Sequence, residues 1–504
     1  MDFLDPKQER RNQFTLLLGY CLVTLAIGGA ALVLLYQAYG YGLNKQGEVT
    51  QSGLLFVSSQ PSGSAIRLNG QPYSSNTNTR VTVPTGPYSM SITRSGYRDW
   101  QRPIYVAGGD VQHFDYPFLF PSKLQTDSLA EPAAAPSVAT QSADRRWLIL
   151  DRPDTPGSFM LWDFKNAKQP VSSAITLPAN MYTPSDGTQS WAVEEWASDN
   201  QHVVLLHTYT QKGAAGHEYV LLDRATPVDS VNLTRQLNLA QAETLSLYNN
   251  RIAQVYVYNP DDQSLQRLNA TDGTLVSKLQ HVLAFKTYAD KEILYVTDQP
   301  PGGKITPGQV SAVLQDGQQS YVLRTLPAGA PSYELNLAQY AGDWYVAVAA
   351  SNESSVYVYK NPQSQPATSP DTYPNPWRRL DIANPTYLSF SSNTQFLVAE
   401  SGQSFTVYDF ENIIQYRYTA VQPLDQPQTH ATWMDGDRLM YVSGGKLVVF
   451  DYDYRNVQTL MPALPAYTPV FDPGYTHVYA LAPSTKNVAG IALMSTWLRA
   501  PADQ

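Results

Sequence analysis

Two acids stand between two tryptophans in Trp191-Ala-Val-Glu194-Glu195-Trp196. Paired carboxylates can act as acid and base on a glycosidic bond, and tryptophan faces give sugars a flat apolar surface. On a regular strand, however, adjacent side chains point to opposite faces. The spacing therefore predicts one solvated acid, with the tryptophans used for packing. The seven histidines are His113, His202, His207, His217, His281, His430 and His477. His202 and His207 lie five apart, on opposite faces of a strand, so they cannot share a metal ion locally. No H-E-x-x-H, G-x-S-x-G or Gly-Lys-Ser/Thr segment occurs. Asp435-Gly-Asp437 and Asp451-x-Asp453-x-x-Asn456 look like pieces of a calcium loop. That loop needs more ligands and a distal Glu, and hairpin turns use Asp, Asn and Gly in any case. Sequons at Asn232, Asn269 and Asn352 matter only if the source glycosylates secreted chains. The expectation is no catalytic residue, no cofactor or cofactor-binding residue, and no metal ligand.

The elements that must position these residues begin with one apolar stretch. Phe14 to Gln37 is 24 residues without a charge, and about 20 such residues span a bilayer core. Arg10 and Arg11 flank it on one side, and Tyr36, Tyr39 and Tyr41 on the other, where amphipathic rings favour the membrane boundary. Lys7, Arg10 and Arg11 precede it and only Lys45 follows closely, which predicts the N-terminus inside and the bulk outside. A signal peptide has a shorter apolar region and a small-residue cleavage site, so an uncleaved anchor is expected. Ala26 and Ala30 have the small-xxx-small spacing that lets helices pair. Cys21, the one cysteine, lies inside this stretch. Tyr20 before it argues against lipid attachment, and nothing beyond it can form a disulfide.

Only 15% of the 504 residues are charged and the net charge is −9, against about a quarter charged in ordinary domains. No basic stripe for nucleic acid is present. The abundance of Tyr (34), Pro (36) and Gly (30) suits short strands joined by turns. The length predicts two or three domains. Residues 38–53 read as a polar spacer.

From residue 54 apolar residues alternate, as half-buried strands require. Leu55 and Val57 share one face, Ile66 and Leu68 the next, and Asn69-Gly70 is a strong hairpin turn. Val81 and Val83 follow, then Tyr88, Met90 and Ile92, and Ile104 to Val106 closing at Gly108-Gly109. The segments Val57-Ser58-x-x-Pro61-x-Gly63, Ile66-x-Leu68-x-Gly70, Pro84-x-Gly86-x-Tyr88 and Gly96-Tyr97 resemble the PEGA domain, a small β-sandwich found outside bacterial membranes. The resemblance covers 54–118. Ser62 and Ser64 replace the Glu and Ala of the naming tetrapeptide, and Asn78-Thr79 stands where Thr-Pro is common. It implies a non-catalytic binding or spacer module on an envelope protein.

Residues 119–500 repeat loosely. The unit is a polar turn, an apolar strand, a gap, and a second strand that often ends in Asp or Asn. Examples are Asp144 to Leu150 leading to Phe159–Asp163, and Gly436 to Val442 leading to Leu447–Asp451. One unit pairs Asp290 to Val296 with Tyr321-Val-Leu. Eight units run from Asp144 to Gly474, about 47 residues apart, which is the period of a propeller blade. Residues 119–142 are expected to supply a closing strand and an Ala/Pro/Ser-rich linker over 129–142. The turns Ser142-Ala-Asp144 and Ser198-Asp199-Asn200 resemble the WD40-like, TolB-type propeller repeat in architecture only.

The sequence thus predicts an all-β chain with one N-terminal transmembrane helix. Its parts are a tail (1–13), the helix (14–37), the spacer (38–53), a PEGA-like β-sandwich (54–118) and a seven- or eight-bladed β-propeller (119–500). The expected role is an extracytoplasmic binding or scaffolding protein of the bacterial envelope, not an enzyme. It would be held in the bilayer by 14–37 and face a protein or glycan partner. The alternative is a glycan hydrolase or lyase with its site at the propeller mouth.

Overall fold

A computed structural model describes residues 6–38, 40–43, 49–289, 292–302, 307–364, 373–484, 486–487 and 490–503. The chain forms two compact units, one of Met1–Lys123 with Arg499–Gln504 and one of Leu124–Leu498.

The first unit opens with helix Pro6–Ala38. Within it Gln13–Tyr36 is long and apolar enough to cross a membrane, by length and composition. Its apolar side chains are exposed all round, as a lipid-facing helix requires. Thr24 donates its hydroxyl to the carbonyl of Tyr20, 2.8 Å away, so that polar group is satisfied within the helix.

Two four-stranded sheets follow. One joins Tyr41–Leu43, Val49–Val57 and Thr79–Pro84, with Val111–Phe114 parallel to Leu54–Val57. The other runs Gln71–Asn76, Ala65–Leu68, Gly86–Thr93, Trp100–Val106, all antiparallel. Leu55, Val57, Val81 and Val83 of the first share one core with Ile66, Met90, Ile92 and Trp100 of the second. This is the expected sandwich. Asn69 and Gly70 both hold positive φ, 51° and 79°, as the two-residue hairpin demands.

The spacer expectation is corrected. Tyr41–Leu43 and Val49–Val57 belong to the first sheet, and residues 44–48 lie outside the described residues. Gly40 turns the chain at φ 77°, and its carbonyl accepts from Ser52 N at 2.7 Å. A Cβ at Gly40 would collide with the Ser52 carbonyl. The ring of Tyr36 stacks on Tyr41 at 4.8 Å. The polar residues Thr50, Gln51 and Ser52 that suggested a linker are half-buried on Val49–Val57, an inner strand paired with Tyr41–Leu43 on one side and Thr79–Pro84 on the other.

Residues 499–503 also belong to this unit, which the sequence did not reveal. Ala500 is buried in the sandwich core, and its N–H donates to the Tyr97 hydroxyl at 2.9 Å. That hydroxyl donates to Asp503 at 2.8 Å, and the Arg94 guanidinium forks onto the same carboxylate. Gly96, at φ 84°, lies so close that a Cβ would stand 3.1 Å from Ala500 Cβ. The Gly96-Tyr97 pair is therefore the seat of this returning segment.

The second unit contains eight four-stranded antiparallel sheets, each a meander in chain order. Sheet 1 is Ala139–Gln141, Trp147–Asp151, Ser158–Asp163, Val171–Thr176; sheet 2 is Gln189–Trp196, His202–Gln211, Ala214–Asp223, Val231–Asn232. Sheet 3 is Thr244–Tyr248, Arg251–Asn259, Ser264–Asn269, Leu275–Leu279; sheet 4 is Val282–Tyr288, Glu292–Thr297, Gln309–Asp316, Gln319–Pro327. Sheet 5 is Tyr333–Tyr340, Asp343–Ala350, Ser355–Lys360, Arg378–Asp381; sheet 6 is Tyr387–Phe390, Phe396–Ser401, Ser404–Asp409, Ile414–Thr419. Sheet 7 is Thr432–Trp433, Arg438–Ser443, Lys446–Asp451, Gln458–Pro462. Sheet 8 is Val470–Phe471, His477–Pro483, Ile491–Trp497, and its outer strand is Thr126–Ala130, brought from the start of the unit.

Shared cores join neighbours around a ring. Ile149 and Phe159 of sheet 1 meet Val203 and Val220 of sheet 2. The last junction is made by Leu148, Trp162 and Phe164 of sheet 1 against Tyr479, Leu481 and Leu493 of sheet 8. There the Phe164 and Tyr479 rings stack at 3.9 Å. The unit is a β-propeller. Two details depart from expectation. In sheet 4 the third strand is Gln309–Asp316, and Tyr321–Leu323 lies in the fourth. The expected linker 129–142 instead holds strand residues at both ends, and Asp151 ties down the middle by accepting from Ser137 Oγ and Val138 N, each at 2.7 Å.

Arg94 holds the Asp503 carboxyl below its ordinary 3.8. The pair thus stabilises the fold above that value and is lost as pH falls below it. Asp503→Asn should destabilise the first unit by about 1 kcal/mol at neutral pH and by progressively less as pH falls below 3.8, read by chemical denaturation of the sandwich.

Candidate functional site

The first strands of neighbouring sheets approach one another, as between sheets 2 and 3, 4 and 5, and 5 and 6. They are the inner strands, and they line the central channel. Side chains lace them together. Gln141 donates to the Phe471 carbonyl at 2.8 Å, Trp196 Nε1 to Thr140 Oγ1 at 2.9 Å and Asn336 to the Leu388 carbonyl at 2.9 Å. Trp433 Nε1 donates to Ser389 Oγ at 2.9 Å.

Glu195 belongs to this lacing. Its Oε2 accepts from Leu247 N at 2.7 Å and its Oε1 from Asn250 Nδ2 at 2.6 Å, clamping sheet 2 to sheet 3. The expectation that adjacent acids point apart is corrected here. The ladder slips between Val193 and Glu195: Val193 faces Leu205 and Glu195 faces Val204. Glu194 is the extra residue of a bulge, and a bulge re-aims its side chain. Both acids consequently line one pocket.

That pocket has a volume of about 510 Å³ and is walled by inner-strand ends of three sheets. Sheet 2 gives Glu194 and Glu195. Sheet 3 gives Ser246, Leu247 and the turn residues Asn249 and Asn250, and sheet 4 gives Phe285, Lys286, Thr287, Tyr288 and Ala289. Asn249 and Asn250 are both left-handed, φ 50° and 53°, so the turn is tight and its amides sit at the pocket wall. Burial, and then Glu195, push the Glu194 carboxyl up. Burial raises Glu195 too, against its Leu247 hydrogen bond and the nearby Lys286 charge. Neither the Glu194 nor the Lys286 side chain has a hydrogen bond or ion pair among the described residues. The sequence missed Lys286 and the Asn249-Asn250 turn; only the Asn-Asn pair after a short strand could have signalled the turn.

The other sequence candidates go elsewhere. Trp191 is buried, stacked on His207 at 4.2 Å, and Trp196 is spent on Thr140, so neither tryptophan lines the pocket. His207 is fully buried with Nδ1 3.1 Å from Glu218 Oε1. His202 lies 2.6 Å from Asp199, and His430 stacks on Tyr387 at 3.6 Å. His113 stacks on Phe56 at 4.8 Å, His281 lies 3.3 Å from Asp298 and His477 packs on Trp497 at 4.0 Å. The backbone of His217 is tied to Gln241. Among the described residues no three His, Cys, Asp or Glu are grouped to hold a metal.

The acidic turns enclose a cation of their own. Arg438, buried, pairs with Asp435 and lies 3.7 Å from Asp451, while Asp435 accepts from the N–H groups of Asp437 and Arg438 at 2.8 and 2.9 Å. Burial pushes Asp437 up to about 7. Asp453 accepts from Arg455 at 3.1 Å, and Asn456 donates to Asp451 at 2.8 Å. Of the sequons, Asn232 is buried and donates to Glu218 at 2.7 Å. Asn269 caps its own turn by accepting from Thr271 N at 2.9 Å, and Asn352 is exposed.

Glu400 stands apart. It is fully buried between sheets 6 and 7, beside Tyr387 and Tyr418. Its Oε2 accepts from Ala431 N at 2.9 Å, and its Oε1 has no partner among the described residues. Burial pushes it up to about 8 from 4.5. The folded state thus keeps a proton that the unfolded chain releases, and stability is full below pH 4.5 and lost as pH rises toward 8. Unfolding free energy should fall by up to about 1.4 kcal/mol per pH unit across that window. Glu400→Gln should flatten the decline, measured by denaturant titration at pH 5, 6.5 and 8.

Residues 52–119 match the family model of the PEGA domain. No curated protein matches the chain in sequence. Among solved structures, Kluyveromyces lactis Hsv2 is 12% identical at TM-score 0.39, covering 64% of this chain and 97% of that one. U3-55K is 10% identical at TM-score 0.38, covering 74% and 98%. Dihydro-heme d1 dehydrogenase NirN, in complex with DHE, is 13% identical at TM-score 0.38, covering 64% and 65%. By family, residues 52–119 match the PEGA domain.

Proposed function

We propose that this chain is a membrane-anchored binding or scaffolding protein of the bacterial cell envelope. Its N-terminus is cytoplasmic, its bulk is extracytoplasmic, and its propeller meets a protein or glycan partner. The observation that carries the reading is the channel pocket. Three inner strands build it, Glu195 is committed to holding two of them together, and Glu194 and Lys286 are left facing the space. Fixed walls with unspent polar groups suit recognition. The apolar helix and the PEGA match support a site of work at a membrane.

A second reading, an envelope glycan hydrolase or lyase, is favoured by one observation: two carboxyls with raised pKa share one pocket. Against it stand the structural duty of Glu195 and the absence of both tryptophans from the pocket lining.

Protease added to intact cells should remove the propeller, and a photo-reactive side chain at Ser246 should crosslink a discrete envelope partner. Protection until lysis would contradict the topology. Release of soluble sugar from envelope glycan by the full chain, abolished by Glu194→Gln, would select the enzyme.

A further inference from the structure

Glu194 and Lys286 carry opposite charges on one pocket and do not pair. They sit on the inner strands of sheets 2 and 4, with the end of the sheet 3 inner strand between them. Charges on mobile surface chains normally find partners or water. Here the bulge fixes where Glu194 projects, and the Glu195 clamp fixes the wall beneath it. Among the described residues the pocket has one carboxylate in excess, and Glu194 stands exposed on it beside Glu195. A neutral ligand entering would strip more water from Glu194 and return no countercharge, which is costly. A cation would repay that loss. Lys286, whose charge already acts on Glu195, presents N–H donors to a carbonyl oxygen one strand away. Phe285 and Tyr288 lie on the same wall as Lys286 and offer apolar surface to an aliphatic stem.

We propose that the channel pocket takes a peptide segment of a partner protein through a basic side chain, arginine or lysine, on Glu194, with a backbone carbonyl of the same segment on Lys286. The proposal rests on the binding reading above and names its partner class. A bare sugar fits less well, because both tryptophans are spent on packing and the uncompensated charge remains.

The test uses the full chain in lipid nanodiscs and three probes read by ligand-observed NMR. They are N-acetyl-Gly-Arg-Gly-amide, its uncharged citrulline counterpart of the same shape, and N-acetylglucosamine. The arginine probe should bind roughly tenfold more tightly than the citrulline probe, as a partly desolvated ion pair allows. Glu194→Gln should bring that ratio close to one, and Glu194→Ser should do the same. Lys286→Met should weaken both peptides alike and leave the ratio intact. Equal affinity of the two peptides, a preference that survives both Glu194 variants, or tighter binding of the sugar than of either peptide would each overturn the proposal. If the ratio fails while the Ser246 crosslink to an envelope partner persists, the ligand class falls and the binding reading stands. Loss of both removes the two together.

Discussion

The middle strands of most propeller sheets are buried on both faces, and that constraint governs the rest of the second unit. Phe396–Ser401, Arg438–Ser443 and His477–Pro483 are buried along nearly their whole length. A sheet with two apolar faces needs a neighbour on each side, and a row of such sheets always leaves two faces bare. Closing the row removes them. The chain closes it by setting Thr126–Ala130 beside Ile491–Trp497, about 370 residues apart in sequence as judged from the Thr126–Thr496 hydroxyl pair, and by stacking Phe164 on Tyr479.

Closure also decides where polar groups can go. Inner strands converge, so their unpaired backbone groups face neighbours as well as the channel. Gln141, Glu195 and Asn336 answer them from the next sheet, and Trp196 and Trp433 bond side-chain hydroxyls there. Arg438 among its aspartates and Glu400 between sheets 6 and 7 are among the ionisable groups that such packing encloses. The bulge at Glu194 releases one acid from this duty, and that release makes the pocket chemically different from the rest of the wall.

Legibility followed burial. Outside sheet 4 the apolar runs seen in the sequence fall on the two middle strands of each sheet, because strands covered on both faces read as continuous hydrophobic stretches. Inner and outer strands such as Gln189–Trp196 and Val171–Thr176 carry mixed residues, and their pattern is set by channel and solvent instead. In sheet 4 a Gly-Pro-rich loop hid the third strand, Gln309–Asp316. The PEGA-like sandwich was readable because its turns depend on glycines, of which Gly70 and Gly96 hold positive φ. Its edge strand Tyr41–Leu43 and the docking of Ala500 were not, since both depend on partners remote in sequence. The pocket was half readable. The acid pair stood out, but a one-residue slip in register leaves no mark in composition, and Lys286 lies 91 residues beyond Glu195.

The account turns on the division of labour between two adjacent acids, and hydrogen exchange at the Leu247 amide tests it most directly. If Glu195 is the clamp and Glu194 faces the ligand space, that amide is strongly protected in the native chain. It should exchange at least tenfold faster in Glu195→Ala and be unchanged in Glu194→Ala, a tenfold change being about 1.4 kcal/mol of local opening. Protection that survives Glu195→Ala, or is lost in Glu194→Ala, would contradict the assignment.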